Sequence, residues 1–276
     1  MSLLKISNLS YNIKKKKILK QLDLESHEGG ITCVLGPSGC GKTTLLKLIS
    51  GLLKIQEGEI LLNNKIISSK KIHQKTEKRN IGFLFQEYAL FPHLTVEENL
   101  NFAIQKHDNK KEIIDDILGI IKLSNIKLSY PHELSGGEQQ RIALARSIIA
   151  KPKLLLLDEP FSNLDLNLKE EIRDDTLHLL QRFNISAIVV THDPFEAMFM
   201  SNMIYIMNKA GSIVQSGTPK DLYNNPVNSY VAEFFGETNK FKGIVKNSTV
   251  ITPIGNIPVT NMNESEKVDV HIRPHA

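Results

Sequence analysis

The segment ITCVLGPSGCGKT, residues 31–43, decides the fold of this chain. Its first five residues, Ile31–Leu35, predict a buried strand, and an apolar helix is expected to begin directly after the glycines. Gly36, Gly39 and Gly41 can adopt backbone conformations that a Cβ atom would forbid, so that loop N–H groups can surround an anion. The start of the helix directs its positive end at the same place. The segment therefore predicts a phosphate-binding loop on a parallel α/β sheet.

The spacing of this loop also assigns contacts to its side chains. Lys42 is expected to reach the β- and γ-phosphates of a nucleotide, and Thr43 to place its hydroxyl on Mg²⁺. The buried strand before the loop and the apolar helix after it disfavour the alternative of a chance glycine-rich turn. We expect the loop as a whole to bind nucleotide, through Gly36, Pro37, Ser38, Gly39, Cys40, Gly41, Lys42, Thr43 and Thr44.

A second apolar segment ends in two carboxylates. The four leucines at residues 154–157 predict a strand that is buried on both faces, and Asp158 and Glu159 follow it. Because the carboxyl ends of parallel strands meet at one edge of a sheet, both carboxylates should face the phosphate loop. Asp158 is then placed to hold Mg²⁺ through water, and Glu159 to polarise an attacking water. The alternative is a solvated Asp-Glu-Pro turn.

Other segments repeat the order of buried strand and polar turn. Residues 187–190 predict a third buried strand, before the turn that contains His192, and residues 81–85 predict another strand before Gln86. Between the predicted strand at residues 81–85 and the one at residues 154–157, a helical subdomain is expected at about residues 87–150, inserted into the sheet domain. It should contain helices at residues 95–105 and 110–121, and Thr95 with Glu98 gives the first of these a capping box.

The two ends of the chain are predicted to be rich in strands. Alternating segments on both sides of the basic run at residues 14–17 predict a hairpin with the run in its turn. A change of composition near Gly236 predicts a boundary between a domain of residues 1–236 and a short β-rich tail of residues 237–276. Such a tail is too short for an independent core.

Between residues 194 and 236 we expect a helix at 194–200, strands at 204–208 and 212–215, and helices on either side of Pro226.

The composition excludes several classes of protein. The chain is 41% apolar and 23% charged, and its net charge of +4 is spread along the sequence, which gives little support to nucleic-acid binding. No apolar stretch approaches the ~18 residues of a membrane span, and no secretory signal is visible, so we expect a cytosolic chain. The two cysteines exclude a disulfide framework. Cys33 is predicted to be a small buried hydrophobe, and Cys40 a loop residue whose backbone matters more than its side chain.

The segment LSGGEQQR, residues 134–141, predicts a further anion site. Ser135, Gly136 and Gly137 stand at the start of an apolar helix that should run to Ala150, and a serine cap with bare glycine amides favours an anion there. With the order of the other motifs, this segment resembles the ATP-binding-cassette (ABC) ATPases over about residues 3–236. The resemblance implies a P-loop fold with a RecA-like parallel sheet, an antiparallel β subdomain and an inserted helical subdomain.

The resemblance also implies roles for residues outside the phosphate loop. In that family the glycine-edged helix start contacts the γ-phosphate bound by the opposite subunit, so two copies of the chain complete each ATP site with Mg²⁺. Tyr11 resembles the residue that stacks on adenine, and Gln86 the glutamine that touches Mg²⁺ and the water. Asp165 lies in a turn, residues 162–165, that resembles the one lining the dimer contact. His192 matches the histidine that binds the γ-phosphate and orients the water, although a lone turn histidine is more often structural.

Two features depart from the family pattern. Glu138 stands where many relatives carry glutamine, and its charge favours the helix dipole but also adds a negative charge near an expected phosphate. The tail is shorter than the OB-like regulatory module of related importers. His271 and His275 in the tail are predicted to be surface residues.

Residues 85–96, 130–132 and 161–163 resemble the importer branch of the family, most closely the ferric-iron and polyamine importers. The resemblance implies the ATPase subunit of a bacterial importer, peripheral on the cytoplasmic side of the membrane. Its partners would be a second copy, membrane permease subunits and, indirectly, a periplasmic or extracellular binding protein. Ferric iron is the first cargo to consider, and a polyamine or another small solute the alternative. A soluble ABC ATPase outside transport, or a nucleotide-binding module without turnover, are the readings from other classes.

Overall fold

The structure is a computed structural model, which describes residues 1–104, 108–162, 164–260 and 263–274. The chain forms two compact units, Met1–Pro219 and Lys220–Ala276. The functional division at Gly236 stays a prediction. Across the described ranges, no helix combines the length and the apolar character needed to cross a membrane.

The elements are numbered in chain order. The strands are β1 (Ser2–Ile13), β2 (Lys16–His27), β3 (Ile31–Leu35), β4 (Glu57–Leu62), β5 (Lys65–Ser68), β6 (Ile81–Leu84), β7 (Leu154–Asp158), β8 (Ser186–Thr191), β9 (Met203–Met207), β10 (Ile213–Gly217), β11 (Asn239–Lys246), β12 (Thr249–Thr252), β13 (Gly255–Pro258) and β14 (Lys267–Ile272). The α-helices are α1 (Lys42–Ser50), α2 (Val96–Ala103), α3 (Lys110–Ile120), α4 (Gly136–Ile148), α5 (Leu166–Arg182), α6 (Pro194–Met200), α7 (Pro219–Asn224) and α8 (Ser229–Phe234).

The central sheet of the first unit has six strands in the order β10-β9-β3-β8-β7-β6. The strands from β9 to β6 are parallel, and β10 is antiparallel to β9. Leu154 and Leu156 of β7 pack in the cluster that contains α1, whereas Leu155 and Leu157 pack in the cluster that contains α4. This strand is therefore buried on both faces, as the four leucines predict.

The register of the parallel strands aligns their carboxyl ends. Leu35 of β3 pairs with Thr191 of β8, and Asp158 of β7 pairs with Val190 of β8. The phosphate loop, the paired carboxylates and the His192 turn therefore leave the sheet side by side, on the edge where ligands of open α/β sheets bind.

A second sheet of the first unit is antiparallel, in the order β2-β1-β4-β5. Strands β1 and β2 form the predicted hairpin, and the turn between them contains Lys14 and Lys15. Its apolar side chains share a cluster with α1 and the central sheet, so this sheet packs over the phosphate-loop helix.

The helical segment of the first unit confirms the predicted helix starts. Thr95 and Glu98 form a complete capping box, in which each backbone N–H donates to the other residue's side chain. Ser135 caps α4 in the same way, with Glu138 as its partner. The predicted end of the first helix at Gln105 lies outside the described residues, and α4 ends at Ile148, two residues before the predicted Ala150.

The second unit contains α8 and the antiparallel sheet β13-β12-β11-β14. The strands confirm the predicted β-rich character of the tail. The prediction of a surface position for His271 is wrong, because its ring is half-buried and its Nδ1 lies 3.2 Å from the Thr238 hydroxyl. The other tail histidine, His275, lies outside the described residues.

The two cysteines are both buried. Cys33 lies in β3 as a small core residue, as predicted. For Cys40 the prediction understated the side chain, which is 2% exposed and packs in the apolar cluster beneath the loop. Burial raises the pKa of the Cys40 thiol.

Arg79 is a buried cation, 2% exposed, at the end of the phosphate-loop helix. It donates to the carbonyls of Leu48 and Ile49 at 3.2 and 2.7 Å, and to the Ser68 hydroxyl and the Gln74 carbonyl, each at 2.8 Å. Its charge compensates the negative end of the dipole of α1. Burial lowers the pKa of Arg79 to about 10, so that it remains charged at neutral pH.

We expect Arg79→Met to lower the free energy of unfolding by about 2–4 kcal/mol, because it leaves several buried carbonyls without a donor. Urea denaturation followed by circular dichroism measures the change. The exposed Arg182 supplies a matched control, and Arg182→Met should change the value by less than about 0.5 kcal/mol. Equal effects of the two substitutions would contradict the role given to Arg79.

Candidate functional site

The phosphate loop joins β3 to α1 with its backbone close to neighbouring atoms. Gly41 is the N-cap of α1 at φ 109°, and a Cβ there would lie 2.8 Å from a methyl carbon of Leu19. A Cβ at Gly36 would lie 2.8 Å from the Met207 carbonyl oxygen. Only glycine fits both positions. The Gly36 N–H donates to the Thr191 carbonyl at 3.2 Å, which fixes the start of the loop against β8.

The loop forms one wall of a cavity of about 370 Å³. The cavity brings the phosphate-loop residues together with Gln86, which follows β6, and Glu159, which follows β7. It also includes Ile18 of β2, which the sequence analysis missed because an apolar residue beside a basic run gives no chemical signal. The lining residues are Ile18, Ser38, Gly39, Gly41, Lys42, Thr43, Thr44, Gln86 and Glu159.

Lys42 is 4% exposed, and its ammonium bridges the loop to β7. The Nζ atom donates to the carbonyls of Gly36 and Pro37 at 2.8 and 3.3 Å, and it lies 3.3 Å from Glu159 Oε1. A buried ammonium needs such partners, because burial without them disfavours its charge. In this arrangement carbonyl and carboxylate oxygens occupy the donors that a phosphate could use.

Glu159 connects the phosphate loop to His192. Its Oε2 lies 3.0 Å from His192 Nδ1, while Oε1 faces Lys42. The residue has a left-handed backbone at φ 44°, which is unfavourable for a side chain with a Cβ, and its N–H donates to the Val190 carbonyl at 3.0 Å. The imidazole of His192 is half exposed, at 50%. A carboxylate held between a lysine and an accessible histidine can accept a proton from a water bound beside them.

Asp158 and Thr43 form the oxygen-rich side of the site. The Thr43 hydroxyl donates to Asp158 Oδ1 at 2.9 Å. Burial raises the pKa of the Asp158 carboxyl, although the hydrogen bond from Thr43 opposes the shift. Gln86 lines the same cavity, and its Nε2 makes a long contact of 3.5 Å with the Ser162 hydroxyl. Hydroxyl, carboxylate and amide oxygens are hard donors, so this set fits Mg²⁺.

The remaining predicted site residues lie outside this cavity. Tyr11 is half-buried against the cluster that contains Ile18. Asp165 is the N-cap of α5, and its carboxylate accepts from the Leu168 N–H at 3.1 Å. Ser135, Gly136 and Gly137 form the start of α4 and do not line the cavity. Asn163, in the predicted turn at residues 162–165, lies outside the described residues.

Glu138 binds the serine of the predicted second anion site. Its Oε2 accepts from the Ser135 hydroxyl at 2.7 Å and from the Ser135 N–H at 2.8 Å. These hydrogen bonds lower the pKa of the Glu138 carboxyl. The Glu138 carboxylate therefore completes the cap of α4 and accepts the hydrogen bond that the Ser135 hydroxyl could otherwise donate to a phosphate.

Helix α4 is tied to other parts of the site by contacts that the sequence analysis missed. The buried Gln140 donates to the carbonyl of Pro160, directly after Glu159. Arg146 donates to the carbonyls of Tyr88 and Ala89 at 3.2 and 2.7 Å, close to Gln86. Polar residues in an apolar helix were the available signal, but their partners lie far away in the sequence.

Comparison with known proteins places the chain in a family. The model of the ABC transporter family matches residues 19–162. An Fe(3+) ions import ATP-binding protein of Fusobacterium nucleatum is 41% identical over 280 residues, which cover 98% of this chain and 74% of that protein. A spermidine/putrescine import ATP-binding protein of Acetivibrio thermocellus is 41% identical over 278 residues, which cover 98% of this chain and 78% of that protein.

Solved structures agree in fold. The cbiO1 protein of Clostridium perfringens, part of an ABC transporter complex, aligns with a TM-score of 0.73 at 30% identity, over 81% of this chain and 91% of that one. The dimeric ATP-binding cassette MJ0796, bound to ADP and Pi, aligns with a TM-score of 0.69 at 30% identity, over 79% of this chain and 99% of that one. The predicted fold class is confirmed, and the chain belongs to the ABC transporter family as an ATP-binding ATPase.

Proposed function

We propose that this chain is the ATP-hydrolysing subunit of a bacterial ABC importer. The observation that carries the proposal is the position of Glu159, which follows a buried strand and lies between Lys42 and the accessible His192. The similarity to import ATP-binding proteins supports the importer branch over a soluble ABC ATPase. In this role the protein is peripheral on the cytoplasmic side of the membrane.

The chain's own residues divide the work of hydrolysis. The loop amides and Lys42 hold the β- and γ-phosphates, and Tyr11 stacks on the adenine. Thr43, Gln86 and, through water, Asp158 would hold Mg²⁺, which would supply positive charge to the phosphate oxygens. The γ-phosphate competes with Glu159 for Lys42, and this exchange leaves the Glu159 carboxylate available to accept a proton from the attacking water. His192 keeps that water in line.

The second half of each site comes from another copy of the chain. Ser135 and Gly136 at the start of α4 are exposed and Gly137 is buried, and none of the three lines the cavity that holds Lys42 in the same chain. A homodimer that brings this helix start to the partner's γ-phosphate would complete the site, with Asp165 in the contact between the copies. The dimeric form of the MJ0796 cassette supports this arrangement.

The permease subunits are proposed to dock on the aromatic surface formed by Phe91 and Phe102. Phe102 is 52% exposed, and its ring packs edge-on against Phe91 with the centroids 4.7 Å apart. Arg146, which also holds the Gln86 loop, lies 5.2 Å from the centre of the Phe91 ring. Movement at the cavity can therefore reach this surface. We propose ferric iron as the cargo and a polyamine as the alternative, delivered by a binding protein outside the cell membrane.

The substitution Glu159→Gln should preserve ATP affinity and slow phosphate release by about two orders of magnitude or more, because the amide cannot accept the proton. Calorimetry measures the affinity, and a phosphate assay the turnover. Glu112→Gln, an exposed change of the same kind on α3, should leave both unchanged. Turnover at the wild-type rate in Glu159→Gln would remove this carboxylate from the mechanism.

We expect Asp158→Asn to raise the melting temperature of the nucleotide-free protein at pH 7. The pKa of Asp158 is raised above its usual 3.8 by burial, so its contribution to stability is complete below that value and is lost as pH rises through the folded-state pKa. Asparagine avoids this loss and still accepts from Thr43. With ATP present, the further rise in the protein's melting temperature that Mg²⁺ causes should disappear in this variant.

The exposed change Asp116→Asn controls for the loss of one negative charge, and it should alter neither the melting temperature nor the effect of Mg²⁺. A variant Asp158→Asn that still responded to Mg²⁺ as the wild type does would contradict the assignment of this carboxylate to the metal.

The cargo proposal is tested by reconstituting the chain with co-purified permease subunits in vesicles. A binding protein loaded with ferric iron should raise ATP turnover several-fold over the empty binding protein, whereas one loaded with spermidine should not. Stimulation by spermidine alone would transfer the assignment to polyamine import. Failure of any permease to co-purify from membranes would favour a soluble ABC ATPase.

A further inference from the structure

The turn that carries His192 is held by a partly buried charge cluster whose cation comes from another helix. Lys169, in the first turn of α5, places its Nζ 2.5 Å from Asp193 Oδ2 and 2.7 Å from Glu196 Oε1. Glu196 is 3% exposed, and Lys169 is 19% exposed. The sequence motifs give no role to Lys169 or Glu196, so the cluster is an unassigned part of the site.

The cluster fixes the backbone on both sides of His192. Asp193, directly after the histidine, is the N-cap of α6 and accepts from Lys169 with its second oxygen. Thr191, directly before it, donates its hydroxyl to Glu196 Oε2 at 2.5 Å. The imidazole itself remains half exposed and faces Glu159. Its backbone is therefore clamped while its side chain stays accessible.

The same lysine connects this turn to the start of α5. Its own N–H donates to the Asp165 carbonyl at 2.9 Å, and Asp165 caps the helix. Burial opposes the charge of Lys169, but the hydrogen bonds to Asp193 and Glu196 outweigh it and raise the pKa of the ammonium. One cation faces two carboxylates, so its removal would leave two like charges together, with Glu196 buried and Asp193 25% exposed.

We propose that Lys169 is a positioning residue, which ties the start of α5 to the His192 turn and so sets the imidazole in place beside Glu159. The inference rests on the proposed function, in which Asp165 lies at the contact between two copies. A shift of the α5 start on dimer closure would then move His192 directly. Lys169 touches neither nucleotide nor water in this scheme, and it acts only through the turn.

The test compares Lys169→Met with Lys169→Arg in the full chain. Methionine keeps the length of the side chain and removes the charge, so kcat for ATP hydrolysis should fall by at least about tenfold because the histidine is misplaced, while KM changes by less than about threefold. Arginine keeps both ion pairs and should restore most of kcat. An unchanged kcat in Lys169→Met would overturn the proposal, as would a rise in KM that accounts for the whole loss.

The helical segment offers a matched control. Lys127 is 21% exposed and also pairs with two carboxylates, Asp115 at 2.6 Å and Glu97 at 3.3 Å. Lys127→Met should lower the free energy of unfolding without lowering kcat, when kcat is measured in the absence of the permease subunits. If Lys127→Met reduced kcat as much as Lys169→Met, the effect would be one of general stability and the proposal would fall.

A double variant covers the case in which Lys169→Met does not fold. Lys169→Met with Glu196→Gln removes the more buried of the two unpaired charges, leaves the partly exposed Asp193 carboxylate and keeps an acceptor for Thr191, so it should fold and still show the low kcat. Recovery of wild-type kcat in this variant would show that the lysine link is dispensable. If the wild-type chain itself had no turnover, the proposed function would fail and this inference with it, whereas wild-type turnover with an unaffected Lys169→Met defeats the inference alone.

Discussion

The structure depends on the register of three parallel strands, β3, β7 and β8. Leu35 lies opposite Thr191, and Asp158 lies opposite Val190, so three chain segments with different chemistry leave the sheet at one edge. A slip of one residue would turn the side chains of a strand to the opposite faces. The four leucines of β7 could exchange places between the two clusters that they fill, so the register is fixed at the ends of the strand. There the Lys153 N–H donates to the Asn80 carbonyl at 3.1 Å, and the Glu159 N–H donates to the Val190 carbonyl at 3.0 Å. These backbone hydrogen bonds are therefore what aims the carboxylates.

Much of the architecture could be predicted from the sequence because its signals are local. Buried apolar runs marked the central strands to within one or two residues, and Thr95 with Glu98 marked a helix start. Contacts between distant residues gave no such signal. Arg79 reaches carbonyls about thirty positions away, and His271 pairs with Thr238 across 33 positions, which is why one was missed and the other was predicted to lie on the surface.

The polar contacts of Glu159 explain how the Lys42 ammonium can be buried beneath the phosphate loop. A buried ammonium without partners would be costly, and Glu159 with two loop carbonyls supplies them. The left-handed backbone of Glu159 is the conformation that brings its carboxylate back toward the loop. In the proposed mechanism, one side chain therefore stabilises the buried ammonium and becomes available for chemistry when a phosphate takes its place. In that mechanism Glu159 cannot pair with Lys42 and accept the proton of the attacking water at the same time, so binding of the phosphate would change its role.

The helices around the site are joined to it by their polar residues as well as by their apolar faces. Helix α4 reaches the turn after Glu159 through Gln140, and it reaches α5 through Arg141, whose guanidinium lies 2.6 Å from Glu171. Helix α5 in turn reaches the His192 turn through Lys169. Apolar contacts tolerate small sliding movements, whereas charged hydrogen bonds fix both distance and direction. In the proposed dimer, a displacement at the start of α4 would for this reason reach Glu159 and His192 as a change of position.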